Sequence, residues 1–154
     1  MRRAIVLTAL ALALLGGCGG SEKLSLHSVP IAKSIHVKAQ HYECPVAKEV
    51  CFRHAILVPS GRPVAAGTLA QAELRELTSH RWQKMPGATA DQLAAVSPDG
   101  KLFVSYSTGR TQVLEDRTGQ TTWDEKLSTE LEQITTQGRP ALALTVQKGP
   151  GAGP

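Results

Sequence analysis

The chain has 154 residues, 17 Lys and Arg against 13 Asp and Glu, and five His. That length gives one domain with room for a real core. A net charge of +4, spread thinly, does not make the basic face that nucleic acid requires, so a nucleic-acid partner is excluded.

In chain order, Arg2 and Arg3 form a positive start. Ala4 to Leu15 follows as an uncharged apolar run. Twelve residues are too few to cross a bilayer as a helix, which takes about 20. The run fits the apolar region of an export signal instead. Leu15-Gly16-Gly17-Cys18 closes it. This segment resembles the lipobox of bacterial lipoproteins. The resemblance covers residues 1–18 and implies cleavage before Cys18 and a lipid, palmitate among its chains, on that cysteine. It also implies a membrane partner through the anchor and a place on the extracytoplasmic face of the cell membrane. The Ala and Gly richness of the rest resembles the short lipoproteins of high-GC Gram-positive bacteria, without matching one family.

Loss of the first 17 residues leaves 15 basic against 13 acidic residues. With Cys18 lipidated, Cys44 and Cys51 remain. In an oxidising compartment they read as one disulfide. Residues 18–34, opening Gly19-Gly20-Ser21, read as a tether. The domain is expected over 35–148, and 149–154 as a frayed Gly/Pro tail.

Within the domain, Ile35, Val37 and Ala39 alternate with polar residues and predict a strand, possible as a sheet edge. Phe52 to Val58 is a more continuously apolar strand. Pro59-Ser60-Gly61 turns the chain. Thr68 with Gln71 predicts a capped helix to about Ser79, with Ala70, Leu74 and Leu77 on its inner face. Asp91 to Val96 suits a helical turn or a strand. Pro98-Asp99-Gly100-Lys101 is a turn, followed by Leu102 to Tyr106 and a hairpin partner over Thr111 to Glu115. The stretch Ser97 to Gly119 resembles one blade hairpin of a β-propeller, but the chain holds no second copy, so ordinary turn chemistry accounts for it. Thr122 with Glu125 starts a second helix, with Trp123, Leu127, Leu131 and Ile134 on one stripe. Gly138 and Pro140 end it, and Ala141 to Val146 is a last strand.

The expected class is α+β: an antiparallel sheet with two helices on one face, in a split β-α-β (ferredoxin-like) arrangement.

Chemistry-bearing motifs are scarce. His41-x-x-Cys44 and Cys51-x-x-His54 are mirror-spaced and offer four ligands of tetrahedral-site type, an alternative to the disulfide. Trp82, between Arg81 and Gln83, is a core residue or a partner contact. His27, His36 and His80 stand alone. No catalytic residue and no cofactor motif is found: there is no Gly-x-Ser-x-Gly, Ser-x-x-Lys, His-Glu-x-x-His or phosphate-loop pattern. Three functions stay open. The first is a non-catalytic binding or accessory module of the cell envelope, taking an envelope protein or a small ligand. The second is a small metal-binding protein. The third is a small hydrolase with scattered residues.

Overall fold

The computed structural model describes residues 24–44, 51–62, 64–87, 92–108 and 123–149. Six strands form one sheet: β1 (Ile35–Glu43), β2 (Phe52–Pro59), β3 (Gln83–Lys84), β4 (Gln92–Val96), β5 (Leu102–Ser107) and β6 (Leu142–Lys148). Their spatial order is β1-β2-β6-β5-β4-β3, and each neighbouring pair is antiparallel. Two helices complete the α+β fold, α1 (Ala66–Ser79) and α2 (Glu125–Thr136).

The helices lie on opposite faces of the sheet, not on one. Register decides this. Ala55 pairs with Leu144 and Leu57 with Leu142, while Ile56, between them, pairs with Ala143. Side chains alternate faces along a strand. Ala55, Leu57, Leu142 and Leu144 pack in one cluster with Leu69, Ala70 and Leu77 of α1. Ile56 and Ala143 pack in a second cluster with Leu127, Leu131 and Ile134 of α2. The apolar stretches 55–58 of β2 and 142–144 of β6 are therefore covered from both sides, which is why they do not alternate.

The strand order also departs from the split β-α-β pattern. That pattern seats a parallel pair at its centre. Here β6 inserts between β2 and β5, and every pair is antiparallel. Strand β1 does form an edge. The undecided stretch around 91–96 is strand β4, which makes the hairpin with β5 across the Pro98-Asp99-Gly100 turn. Ser97 Oγ donates to Asp99 Oδ1 at 2.6 Å and Gly100 takes φ 72° there. Strand β5 has β6 on its other side. The expected partner Thr111 to Glu115 lies outside the described residues.

The first helix starts earlier than expected. Its N-cap is Ala65, with no side-chain cap, and Thr68 sits in the first turn. The second helix is capped by Asp124, whose Oδ1 accepts from Lys126 N at 3.0 Å and Leu127 N at 3.2 Å. Thr122, the expected cap, lies outside the described residues. The stripe Trp123, Leu127, Leu131 and Ile134 is buried as predicted.

Residues 24–34, expected as part of a tether, pack on the domain, and residues 18–23 of that expected tether lie outside the described residues. From Leu24 onward the chain belongs to the domain: Leu24, Val29 and Ala32 are buried, and the last two join the α1-face core. Arg53 Nε donates to the Leu24 carbonyl, and Ala32 N donates to Glu73 Oε1 at 3.0 Å. Residues 24–34 thus form a strap beside α1. At the other end Gly149 is also part of the fold. Its N donates to Lys101 O at 2.7 Å, and a Cβ there would stand 2.2 Å from Gly100 O, so only glycine fits.

Candidate functional site

Four places bear on function: the Cys/His hairpin, the buried Glu73, Trp82, and a cleft at the end of α2.

Cys44 and Cys51 are joined by a disulfide that closes the β1–β2 hairpin, with Cα atoms 4.1 Å apart. The thiols are thereby consumed, and the four-ligand reading loses half its donors. His41 and His54 face each other across the two strands. His54 is fully buried. Its Nδ1 is hydrogen-bonded to Thr145 Oγ1 at 3.0 Å, and its ring lies 5.8 Å from Phe52 and 5.1 Å from Trp123. It is a core histidine held by packing. Among the described residues no group of three or more His, Cys, Asp or Glu is placed to hold a metal.

Glu73 has no signal in a motif search, but it sits on the apolar stripe of α1 and is fully buried. Its Oε1 accepts from Ala32 N at 3.0 Å and its Oε2 from Tyr106 Oη at 3.4 Å. Burial pushes its pKa up to about 7, against the lowering effect of those two hydrogen bonds. Tyr106 is raised well above its usual range, by burial first and by Glu73 second. A carboxyl group with no solvent access does not meet a substrate. Its geometry makes it a latch between strap, helix and sheet.

Trp82 is buried at 6% exposure, which makes it a core residue, the first of its two expected roles. The helix ending explains this. Trp82 N donates to Leu77 O at 3.0 Å and Arg81 N to Thr78 O at 2.9 Å, the Schellman pattern. Arg81 takes the left-handed conformation, φ 65°, that the pattern needs. The residue after it is then directed back against Leu77, and both join the α1-face core.

The last place was not visible in sequence. Between the start of β1 and the end of α2 lies a cleft of about 410 Å³, within the range of small-ligand sites. Its apolar wall is Val58, Ile134 and Pro140, and its polar groups are His36, Lys38 and Arg139. Among the described residues no carboxylate lines it. A shallower cleft of about 500 Å³ adjoins it across Gly138, Arg139 and Pro140 and reaches Val64 and Thr108.

Local structure positions each cationic group. The register of β1 against β2 shifts between Val37 and Ala39, so Lys38 is the extra residue of a β-bulge. His36 and Lys38, two residues apart, line the same cleft, and across the bulge the packing changes face: Val37 lies against the α1-side cluster and Ala39 against the α2-side one. His36 Nδ1 is hydrogen-bonded to Ser60 Oγ at 3.2 Å, which orients the ring. Gly138, at φ 68°, ends α2 and turns the chain so that Arg139 reaches the rim.

Ser60 and His36 are the hydroxyl and imidazole that meet at the cleft. Both are exposed, and among the described residues no carboxylate lining the cleft orients the imidazole as a triad would. His27 and His80 are exposed.

No protein-family model, curated protein or solved structure matches this chain.

Proposed function

We propose that the chain is an exported lipoprotein of the bacterial cell envelope, anchored by lipid on Cys18, whose domain is a non-catalytic binding module on the outer side of the membrane. The Cys44–Cys51 disulfide is the observation that carries this reading. Stable disulfides belong to oxidising compartments, which agrees with an export signal. The bond also uses two of the three cysteines, leaving Cys18, at the end of Leu15-Gly16-Gly17, as the remaining thiol.

The strap adds a geometric consequence. Five residues, 19–23, separate Cys18 from Leu24. Fully extended, that distance is at most about 20 Å. Because Arg53 holds Leu24 near the disulfide end of the hairpin, the short leash keeps that end close to the lipid. The cleft lies at the other end of β2, roughly 20 Å further along the strand, and so faces away from the bilayer. Two or more acyl chains suffice for stable anchoring.

The test is metabolic labelling of cells making the full chain with an alkyne fatty acid. The wild-type protein takes up label and Cys18→Ala takes up none. An unlabelled wild-type protein overturns the proposal.

A further inference from the structure

We propose that the cleft between β1 and the end of α2 binds the phosphate of a small, partly apolar phosphate monoester through Lys38, Arg139 and His36. This deepens the binding-module reading above. It rests on that reading for the membrane setting and on the cleft's own chemistry for the ligand.

Charge comes first. Lys38 and Arg139 bring two cations to one concavity that no carboxylate among the described residues lines. Side chains of like charge repel, and gathering them with no counter-charge among the described lining residues has a cost that an anion removes. A phosphate monoester carries about −1.5 to −2 near neutral pH, which matches two cations better than a monocarboxylate does. Arg139 offers the planar fork suited to phosphate oxygens, and Lys38 a compact charge. His36, held through Nδ1 by Ser60, adds a polar ring contact.

One strand face and one helix ending bring these groups together, His36 and Lys38 from alternate positions of β1 and Arg139 from the end of α2. Strand β1 carries a bulge at Lys38. Helix α2 ends on a left-handed glycine, and the next residue is a cation turned outward. The C-terminal end of a helix is itself partly negative and weakens anion binding nearby. Here the carbonyls of Ile134 and Thr135 are engaged by Arg139 N and Gly138 N at 3.1 and 3.0 Å, which moderates that effect.

The apolar body has a place too. Val58, Ile134 and Pro140 line the cleft. The adjoining depression past Arg139 reaches Val64, one of two large apolar side chains left exposed among the described residues. A ligand with its phosphate on Arg139 and its body against these groups uses both. A phospholipid headgroup shares the phosphate chemistry, but the cleft sits at the end of the sheet away from the anchor.

The test titrates the full-length protein, extracted in detergent, with phenyl phosphate by calorimetry. One saturable site is expected. Inorganic phosphate is expected to bind about tenfold more weakly, since it lacks the apolar body, and phenol is not expected to bind. Lys38→Ala and Arg139→Ala each weaken phenyl phosphate about tenfold, the scale of one lost charge-assisted hydrogen bond. Lys84→Ala, which removes an equal charge on the far edge strand, leaves affinity unchanged. Lys38 and Arg139 are exposed, so unchanged denaturation midpoints separate lost binding from lost folding. No saturation, phenol binding as tightly as phenyl phosphate, or an equal loss in Lys84→Ala overturns the proposal. A second arm incubates Cys18→Ala with phosphatidic acid vesicles. Capture that depends on Lys38 and Arg139, and that phenyl phosphate does not displace, assigns the phosphate to lipid and also overturns it. Labelled protein that fails to bind sinks the cleft alone, and unlabelled protein that binds sinks the anchor alone.

Discussion

Helix α1 and helix α2 finish with the same hydrogen-bond pattern and opposite residues. At the end of α1, Arg81 takes φ 65° and Trp82 N reaches back to Leu77 O at 3.0 Å. At the end of α2, Gly138 takes φ 68° and Arg139 N reaches back to Ile134 O at 3.1 Å. The residue after the left-handed position is a buried tryptophan in the first case and an exposed arginine in the second. A hydrophobic contact from that position back to the last turn is the usual companion of this motif. Helix α1 has it and α2 does not. One ending completes a core, and the other presents a charge to a cleft. The easier conformer, glycine, stands where the cation is, and the strained one, arginine, stands where packing compensates.

The largest way to break this comparison is at Trp82. Trp82→Ala is expected to cost about 3–5 kcal/mol in denaturant unfolding, the range for a large buried aromatic. Arg139→Ala is expected to cost no more than about 0.5 kcal/mol. Equal costs would show that both endings are structural.

Glu73 gives a pH test of the α1 side. Its folded pKa, about 7, stands above its ordinary 4.5, so the folded state binds the extra proton between those values. The stability it contributes is full below pH 4.5 and is lost as pH rises through about 7. The drop is at most about 3 kcal/mol. Glu73→Gln should flatten that part of the stability profile, and a profile unchanged by the substitution would remove the latch from the account.

Reduction of Cys44–Cys51 should lower stability by about 2 kcal/mol, given the short loop it closes. Because the bond lies at the end of the hairpin away from the cleft, phenyl phosphate affinity should survive reduction. Calorimetry before and after reductant checks this.

The smallest effects concern the turn residues themselves. Arg81→Gly should stabilise by about 1 kcal/mol by relieving the left-handed arginine. Gly138→Ala, with open space around it but the same φ, should destabilise by a similar amount. Thermal midpoints that move in the same direction would contradict the reading of the two endings.

Much of this architecture was legible in residue patterns. The stripe of α2, the edge strand β1, the turn at Pro98-Asp99-Gly100 and the cysteine pairing all rest on local chemistry, and local chemistry was enough. The placement of the helices was not read, although its signal was present. Residues 55–58 and 141–144 are runs without a polar residue, which is the mark of strands covered on both faces, whereas Leu142, Leu144 and Val146 read as one alternating face. Glu73 had a signal of the same kind, a charge lying on the stripe of Leu69, Ala70 and Leu77. Trp82 was ambiguous because its burial depends on a backbone conformation that arginine rarely adopts. The cleft had no sequence signal. His36, Lys38 and Arg139 meet only because β2 brings the start of β1 against the end of α2, a contact about 100 residues apart in the chain.

The central claim is that one lipidated cysteine and one disulfide divide the three cysteines between address and fold. Intact mass spectrometry of the protein extracted from membranes, before and after reduction, tests it most directly. The account predicts a chain beginning at Cys18, heavier by its acyl groups, that gains two hydrogens on reduction. A chain that retains Met1, or begins at Cys18 without lipid, or gains no hydrogens, contradicts it.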